Sequence, residues 1–223
     1  MTTTVTVPGT APCAAPGAVI ERIGAGLCSA GQAIVDGWLP GRLVAELAHT
    51  CAALAAHDRL VPAGIGPADV RIEAEGYRKA LIRWIEPPLT GAEALWLEHC
   101  ERLRVWLNEH LLLGLIDFEC HYSAYPVGGF YRRHLDRFVT DDRRMVSCVL
   151  YLDADWHDTD GGALRIHPEA GSSRPFCDIL PQRGRLVVFL SDRFPHEVLE
   201  TRRERRAIAG WFRRRSIGGQ VLL

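Results

Sequence analysis

Residues 117–136 read D-F-E-C-H-Y-S-A-Y-P-V-G-G-F-Y-R-R-H-L-D. The aromatic residues Tyr125, Phe130 and Tyr131 favour extended backbone, and Gly128 and Gly129 supply a turn, so two strand-like runs meet at a glycine turn. The second run ends in His134 and Asp136, two positions apart. Successive side chains of a strand point to opposite faces, so both residues project into one space. An imidazole and a carboxylate on one face make half a metal site. The 2-His-1-carboxylate triad, which leaves positions open on non-haem Fe(II), needs one more histidine from elsewhere in the fold. An isolated H-x-D is also common on solvated loops, so its weight depends on what surrounds it.

The strand-like texture continues downstream. V-S-C-V-L-Y-L (146–152), G-A-L-R-I (162–166), R-L-V-V-F-L (185–190) and A-I-A-G-W-F-R (207–213) are short runs without helical periodicity between them. Many short strands in succession point to an antiparallel sandwich or barrel. Within that class a jelly roll, or double-stranded β-helix, is expected, because its mouth offers a ligand cavity.

Upstream the periodicity is helical. Leu43, Val44, Leu47, Cys51 and Leu54 predict an amphipathic helix over about 41–57, leaving His49 and His57 on its surface. Thr90 with Glu93 three residues on forms a capping box that opens a helix over about 90–112. Between them, V-R-I-E-A (70–74) and A-L-I-R-W-I-E (80–86) flank E-G-Y-R-K (75–79), the pattern of two strands or of a long finger-like hairpin, which near a cavity could touch a substrate. Residues 1–30 are rich in Thr, Ala, Pro and Gly and read as a flexible lead-in with a short element at Val19 to Ile23. The expected organisation is α+β: a single domain over 31–223 whose jelly-roll core is supported by N-terminal helices.

Composition narrows the partners. A formal net charge of -1 gives no global attraction to nucleic acid or to an anionic membrane. The 7 cysteines are odd in number and form no C-x-x-C, which argues against a disulfide framework or a zinc knuckle and for a reducing cytoplasm. The N-terminus lacks a basic n-region, and the later Ala/Gly stretch is broken by Pro12, Pro16, Glu21 and Arg22, so neither a signal peptide nor a membrane span is expected.

The candidates for the missing histidine are His157, His167 and His196. His196 is best placed: it follows the strand R-L-V-V-F-L and the loop S-D-R-F-P, and can open a return strand beside the one carrying His134. His157 sits in the polar turn W-H-D-T-D-G-G, and His167 precedes Pro168 at a strand end. Nine residues after His196 comes Arg205, whose strand face by alternation is Arg205, Ala207, Ala209 and Trp211, with Arg206, Ile208, Gly210 and Phe212 opposite. An arginine among small residues can enter a cavity, where its planar fork suits a carboxylate. The neighbouring arginines at 202, 203, 206 and 213–215 equally fit a solvated charged face.

H-L-D, Y-L-D-A-D-W, G-G-A-L-R-I, P-H-E-V and R-A-I-A-G-W-F, in this order, resemble the prolyl 4-hydroxylase group of 2-oxoglutarate/Fe(II) dioxygenases, including its hypoxia-sensing members and bacterial relatives. The resemblance covers about residues 33–213. It implies that His134, Asp136 and His196 bind Fe(II), that Arg205 pairs with the distal carboxylate of 2-oxoglutarate, and that Tyr151 assists it. It also places Tyr125 in the cosubstrate pocket and Trp211 on the substrate side. The implied activity is hydroxylation of a prolyl residue in a protein or peptide, with O2 consumed, ascorbate as an accessory, and succinate and CO2 released. Alternatives are a hydroxylase of a free amino acid or small peptide, and a non-catalytic metal-binding sensor barrel. Nucleic-acid demethylation would need a basic, base-stacking groove that the charge balance does not support. One departure stands out: hypoxia-sensing members carry an acidic residue two positions after the finger arginine, and here Arg78 is followed by Ala80.

Overall fold

A computed structural model describes residues 16–64, 76–137, 141–169 and 175–216. Three helices, α1 (Pro16–Ala30), α2 (Gly41–Ala56) and α3 (Gly91–Leu111), accompany twelve strands. These are β1 (Gln32–Val35), β2 (Val61–Pro62), β3 (Arg78–Lys79), β4 (Leu81–Trp84), β5 (Leu115–Tyr125) and β6 (Phe130–His134). There follow β7 (Arg144–Tyr151), β8 (Leu164–Ile166), β9 (Cys177–Ile179), β10 (Leu186–Leu190), β11 (His196–Val198) and β12 (Arg205–Arg214). They form a seven-stranded sheet, β1-β10-β7-β12-β5-β4-β2, and a five-stranded sheet, β3-β6-β11-β8-β9, with antiparallel pairing throughout. This is the expected jelly-roll core with helices to one side.

The helices seal the outer face of the large sheet. Val19, Ile23 and Leu27 of α1, Leu43, Val44 and Leu47 of α2, and Trp96, Leu103 and Leu107 of α3 share one core with Leu150, Leu186, Val188, Ile208 and Phe212. The inner face turns Val187, Phe189, Tyr151 and Ala207 toward Leu164, Ile166, Ile179 and Val198 of the small sheet. R-L-V-V-F-L is apolar without alternation because β10 is buried on both faces. Burying each such side chain contributes about 1.5–3 kcal/mol before the ordering cost.

Helix α3 begins where its capping box requires: Thr90 Oγ1 accepts from the Glu93 N–H at 3.2 Å, and Glu93 Oε2 from the Thr90 N–H at 2.7 Å. The lead-in expected over 1–30 is corrected from residue 16 onward. Val19, Ile23 and Leu27 recur every fourth residue and are buried, so α1 is a core element, and residues 1–15 lie outside those described. The glycines that suggested a loop have a packing cause: a Cβ at Gly24 would lie 2.2 Å from the Trp106 ring. After α1, β1 pairs with β10, and the Leu190 N–H donates to the Gly31 carbonyl at 3.0 Å. The V-R-I-E-A half of the expected finger lies outside the described residues. No helix among the described residues is long and apolar enough to cross a membrane.

Candidate metal and cosubstrate site

Between the sheets lies a cavity of about 650 Å³, lined among others by His134, Asp136, His196, Arg205, Tyr125 and Trp211. Strand β11 pairs with β6 so that His196 stands directly opposite His134, which is the return strand anticipated from sequence. Asp136 lies two residues beyond the end of β6, so it reaches the same space from the following bend rather than from the strand itself.

Ligand atoms of His134, Asp136 and His196 lie within 4.8 Å of one another, the one such cluster of three or more metal-ligating groups among the described residues. His134 Nε2 is 3.6 Å from Asp136 Oδ1, and His196 Nε2 is 3.5 Å from Asp136 Oδ2. Both separations exceed a good hydrogen bond, as expected of donors that converge on a shared ion rather than on one another. The second contacts set the tautomers. His134 Nδ1 is 2.7 Å from the Arg132 carbonyl and His196 Nδ1 is 3.0 Å from the Phe194 carbonyl. A carbonyl can only accept, so each Nδ1 carries a proton and each Nε2 is the nitrogen turned toward the centre. Ser147 Oγ donates to Asp136 Oδ2 at 2.7 Å and lies 2.9 Å from Ser191 Oγ, fixing the carboxylate plane.

Electrostatics agree with that donor set. Burial pushes the Asp136 carboxyl up, but His196, His134 and Arg144 outweigh it and hold the group well below the usual carboxylate range. Burial lowers His196 to about 4. A carboxylate and two imidazoles, arranged on one side, fit a divalent iron with positions left open.

Arg205 is 1 % exposed. Its Nε donates to the Gly162 carbonyl at 2.8 Å, while Nη2 has no hydrogen-bond partner among the described residues, and neither has the Tyr151 hydroxyl. The guanidinium lies 4.9 Å from the Tyr125 ring centroid and 5.1 Å from that of Tyr151. Burial pushes the Tyr151 phenol up to about 12, against the pull of Arg205, so it stays a hydroxyl able to donate. A buried cation without an anion is costly, and a free fork beside a phenolic O–H suits an incoming carboxylate. The face expected for β12 therefore holds: Arg205, Ala207 and Trp211 line the cavity, and Ile208 and Phe212 join the helix-backed core.

The other candidate histidines lie elsewhere. His157 is exposed, and His167 bonds Glu197 at 2.9 Å. Several cavity residues carried no sequence signal. Ser147 of β7 bonds Asp136 from behind the cavity, and Ser191, just after β10, bonds Ser147 in turn. His121, 1 % exposed, lies edge-on to Trp84, with ring centroids 5.0 Å apart, and 5.5 Å from Trp211, and burial lowers it to about 3, so it is a neutral imidazole. Arg144 stacks 3.6 Å over Trp211 and bonds Glu119.

Residues 120–213 match the model of the 2OG-Fe(II) oxygenase superfamily. The chain is 44% identical to a solved Pseudomonas putida prolyl-4-hydroxylase, over 88% of this chain and 100% of that one, with a TM-score of 0.79. A Trichoplax adhaerens prolyl hydroxylase, solved with a peptide fragment of the hypoxia inducible factor oxygen degradation domain, is 25% identical over 92% of this chain and 94% of its own, with a TM-score of 0.81. Egl nine homolog 1 of Rattus norvegicus is 36% identical over 143 residues, 59% of this chain and 40% of the relative, so the chain spans about two fifths of that protein's length. With identity of this order across the full length of a solved relative, the chain belongs to the prolyl hydroxylase group of the 2OG-Fe(II) oxygenase superfamily.

Proposed function

We propose that this chain is a 2-oxoglutarate- and Fe(II)-dependent dioxygenase that hydroxylates a prolyl residue in a protein or peptide, releasing succinate and CO2. The observation that carries this reading is the buried, unpaired end of Arg205 in the same cavity as His134, Asp136 and His196. Iron and 2-oxoglutarate, when bound, supply an oxidant from O2 that the side chains themselves cannot. The chain's part is placement. His134 and His196 present Nε2, Asp136 presents a carboxylate oriented by Ser147, and Arg205 with the Tyr151 hydroxyl receives the distal carboxylate of 2-oxoglutarate. Trp84, His121 and Trp211 wall the same cavity with flat apolar surface, which suits a pyrrolidine ring and keeps water from the reacting centre. The solved prolyl hydroxylase relatives support proline as the target. Ascorbate as the reductant that keeps the iron ferrous, and action in the cytoplasm, belong to this proposal.

Purified protein given Fe(II), ascorbate and 2-oxoglutarate is expected to release succinate above background, and to add one oxygen to proline in a peptide substrate, read by mass spectrometry. If 2-oxoglutarate binds and no succinate appears at any iron loading, the protein is a metal-binding sensor barrel instead.

A further inference from the structure

Five arginines line the cavity. Three are paired: Arg143 with Asp141 at 2.6 Å, Arg144 with Glu119 at 2.9 Å, and Arg213 with Asp117 and Glu119 at 2.8 and 2.7 Å. Two have no carboxylate partner among the described residues. One is Arg205, whose anion is the cosubstrate proposed above. The other is Arg78, in β3 at the opposite wall.

Arg78 is half-buried, and its Nε is buried without a hydrogen-bond partner. Its guanidinium lies 4.5 Å from the Tyr131 ring centroid, held there by the register that sets Arg78 opposite Tyr131. Tyr131 in turn stacks on the His134 ring at 3.6 Å. The position two residues on, which could have carried a neutralising carboxylate, is the buried Ala80. A guanidinium resting on an aromatic face has lost part of its water, and its free fork is suited to a carboxylate.

We propose that Arg78 receives a carboxylate of the substrate, namely the side chain of an Asp or Glu flanking the target proline. This rests on the prolyl hydroxylase reading above and deepens it. The guanidinium stands two stacking distances from the His134 ring, and an extended chain advances about 3.3–3.6 Å per residue, so the acidic residue lies about one to three positions from the proline. A cavity of about 650 Å³ is larger than a free amino acid beside the cosubstrate would fill, which favours a side-chain carboxylate over the α-carboxylate of free proline.

The test uses short N-acetylated, C-amidated peptides with one central proline, carrying Glu, Gln or Lys at each of the flanking positions in turn. Binding to the Mn(II)- and 2-oxoglutarate-loaded protein is measured by fluorescence anisotropy and hydroxylation by mass spectrometry. At one position Glu is expected to bind about tenfold more tightly than Gln. That preference collapses in Arg78→Gln and turns toward Lys in Arg78→Glu, a reversal that a misfolded variant would not produce. Equal binding of Glu and Gln peptides, binding of no blocked peptide, or a preference that survives in Arg78→Gln overturns the proposal. Binding confined to unblocked peptides ending in proline also overturns it, by assigning Arg78 to an α-carboxylate. If the Glu preference depends on Arg78 and no proline is oxidised, the inference about Arg78 stands and the hydroxylase reading fails.

Discussion

The two faces of β12 obey different rules. On the outer face Ile208 and Phe212 are fully buried beneath the helices among apolar neighbours. On the inner face Arg205 Nη2 and Trp211 Nε1 are buried without hydrogen-bond partners among the described residues, as is the hydroxyl of Tyr151 in the neighbouring strand β7. Each such group costs about 1–3 kcal/mol to leave unmatched, and Arg205 and Trp211 carry theirs where they line the cavity. One strand thus separates the two tasks residue by residue, and substitutions on its two faces should be read by different instruments.

The largest effect is expected at the bottom of the inner cavity. Asp136→Ala removes the sole anionic member of the triad, so hydroxylation should fall to background and iron affinity should drop in a metal titration. Full turnover in that variant would take H-x-D out of the site. Next, Arg205→Ala should weaken 2-oxoglutarate binding to the Mn(II)-loaded protein by about 3–5 kcal/mol, the cost of truncating one partner of a buried charge pair. Its apo form should unfold at an unchanged or higher temperature, because a buried cation without a partner has gone. A lower unfolding temperature with normal cosubstrate affinity would make Arg205 structural.

On the outer face, Phe212→Ala should cost about 3–5 kcal/mol in a denaturant melt and leave 2-oxoglutarate affinity alone. The smallest and most discriminating change is at Arg206. Alternation from sequence makes it a solvated neighbour worth about 0–1 kcal/mol. The structure instead has its Nε on Asp153 Oδ1 at 2.8 Å and its backbone N–H on Asp153 Oδ2, with Asp153 itself 1 % exposed. Arg206→Ala should therefore lose about 1–3 kcal/mol of stability, with cosubstrate binding intact. A large loss of 2-oxoglutarate affinity in the Arg206 variant and none in the Arg205 variant would reverse every face on the strand.

These residues also show what can be read in a chain before it folds. Local rules carried α2 and α3 to within a residue or two, because the capping box of Thr90 and Glu93 and the spacing of Leu43, Leu47 and Cys51 act over a single turn or two. Strand alternation placed Arg205 correctly, since the register of β12 is continuous from Arg205 to Phe212. Helix α1 was legible only as a short element at Val19 to Ile23, because Gly24, which lowers helix propensity, is there for the Trp106 ring of another helix, a tertiary cause invisible locally. The Arg206–Asp153 pair and the Ser147 bond to Asp136 link positions 53 and 11 residues apart, and neither partner bears a mark of the other in sequence. His134, Asp136 and His196 were legible only as a pattern of types; the Nδ1 contacts that orient the two histidines come from backbone carbonyls, which every residue has.

The join between α1 and β1 limits how portable this domain is. Gly31 takes a left-handed φ of +71° and passes so close to Phe194 that a Cβ there would lie 2.8 Å from its ring. The carbonyl of that same Phe194 holds the Nδ1 proton of His196. Every residue proposed for iron or cosubstrate falls between 125 and 205, yet His196 leans through Phe194 on a backbone 165 residues before it. A transplant or truncation that keeps the catalytic strands and discards residues 16–35 would strip β10 of its edge partner and release the loop that aims His196. The natural unit of exchange for the proposed chemistry is the helix-backed whole, not the barrel strands alone.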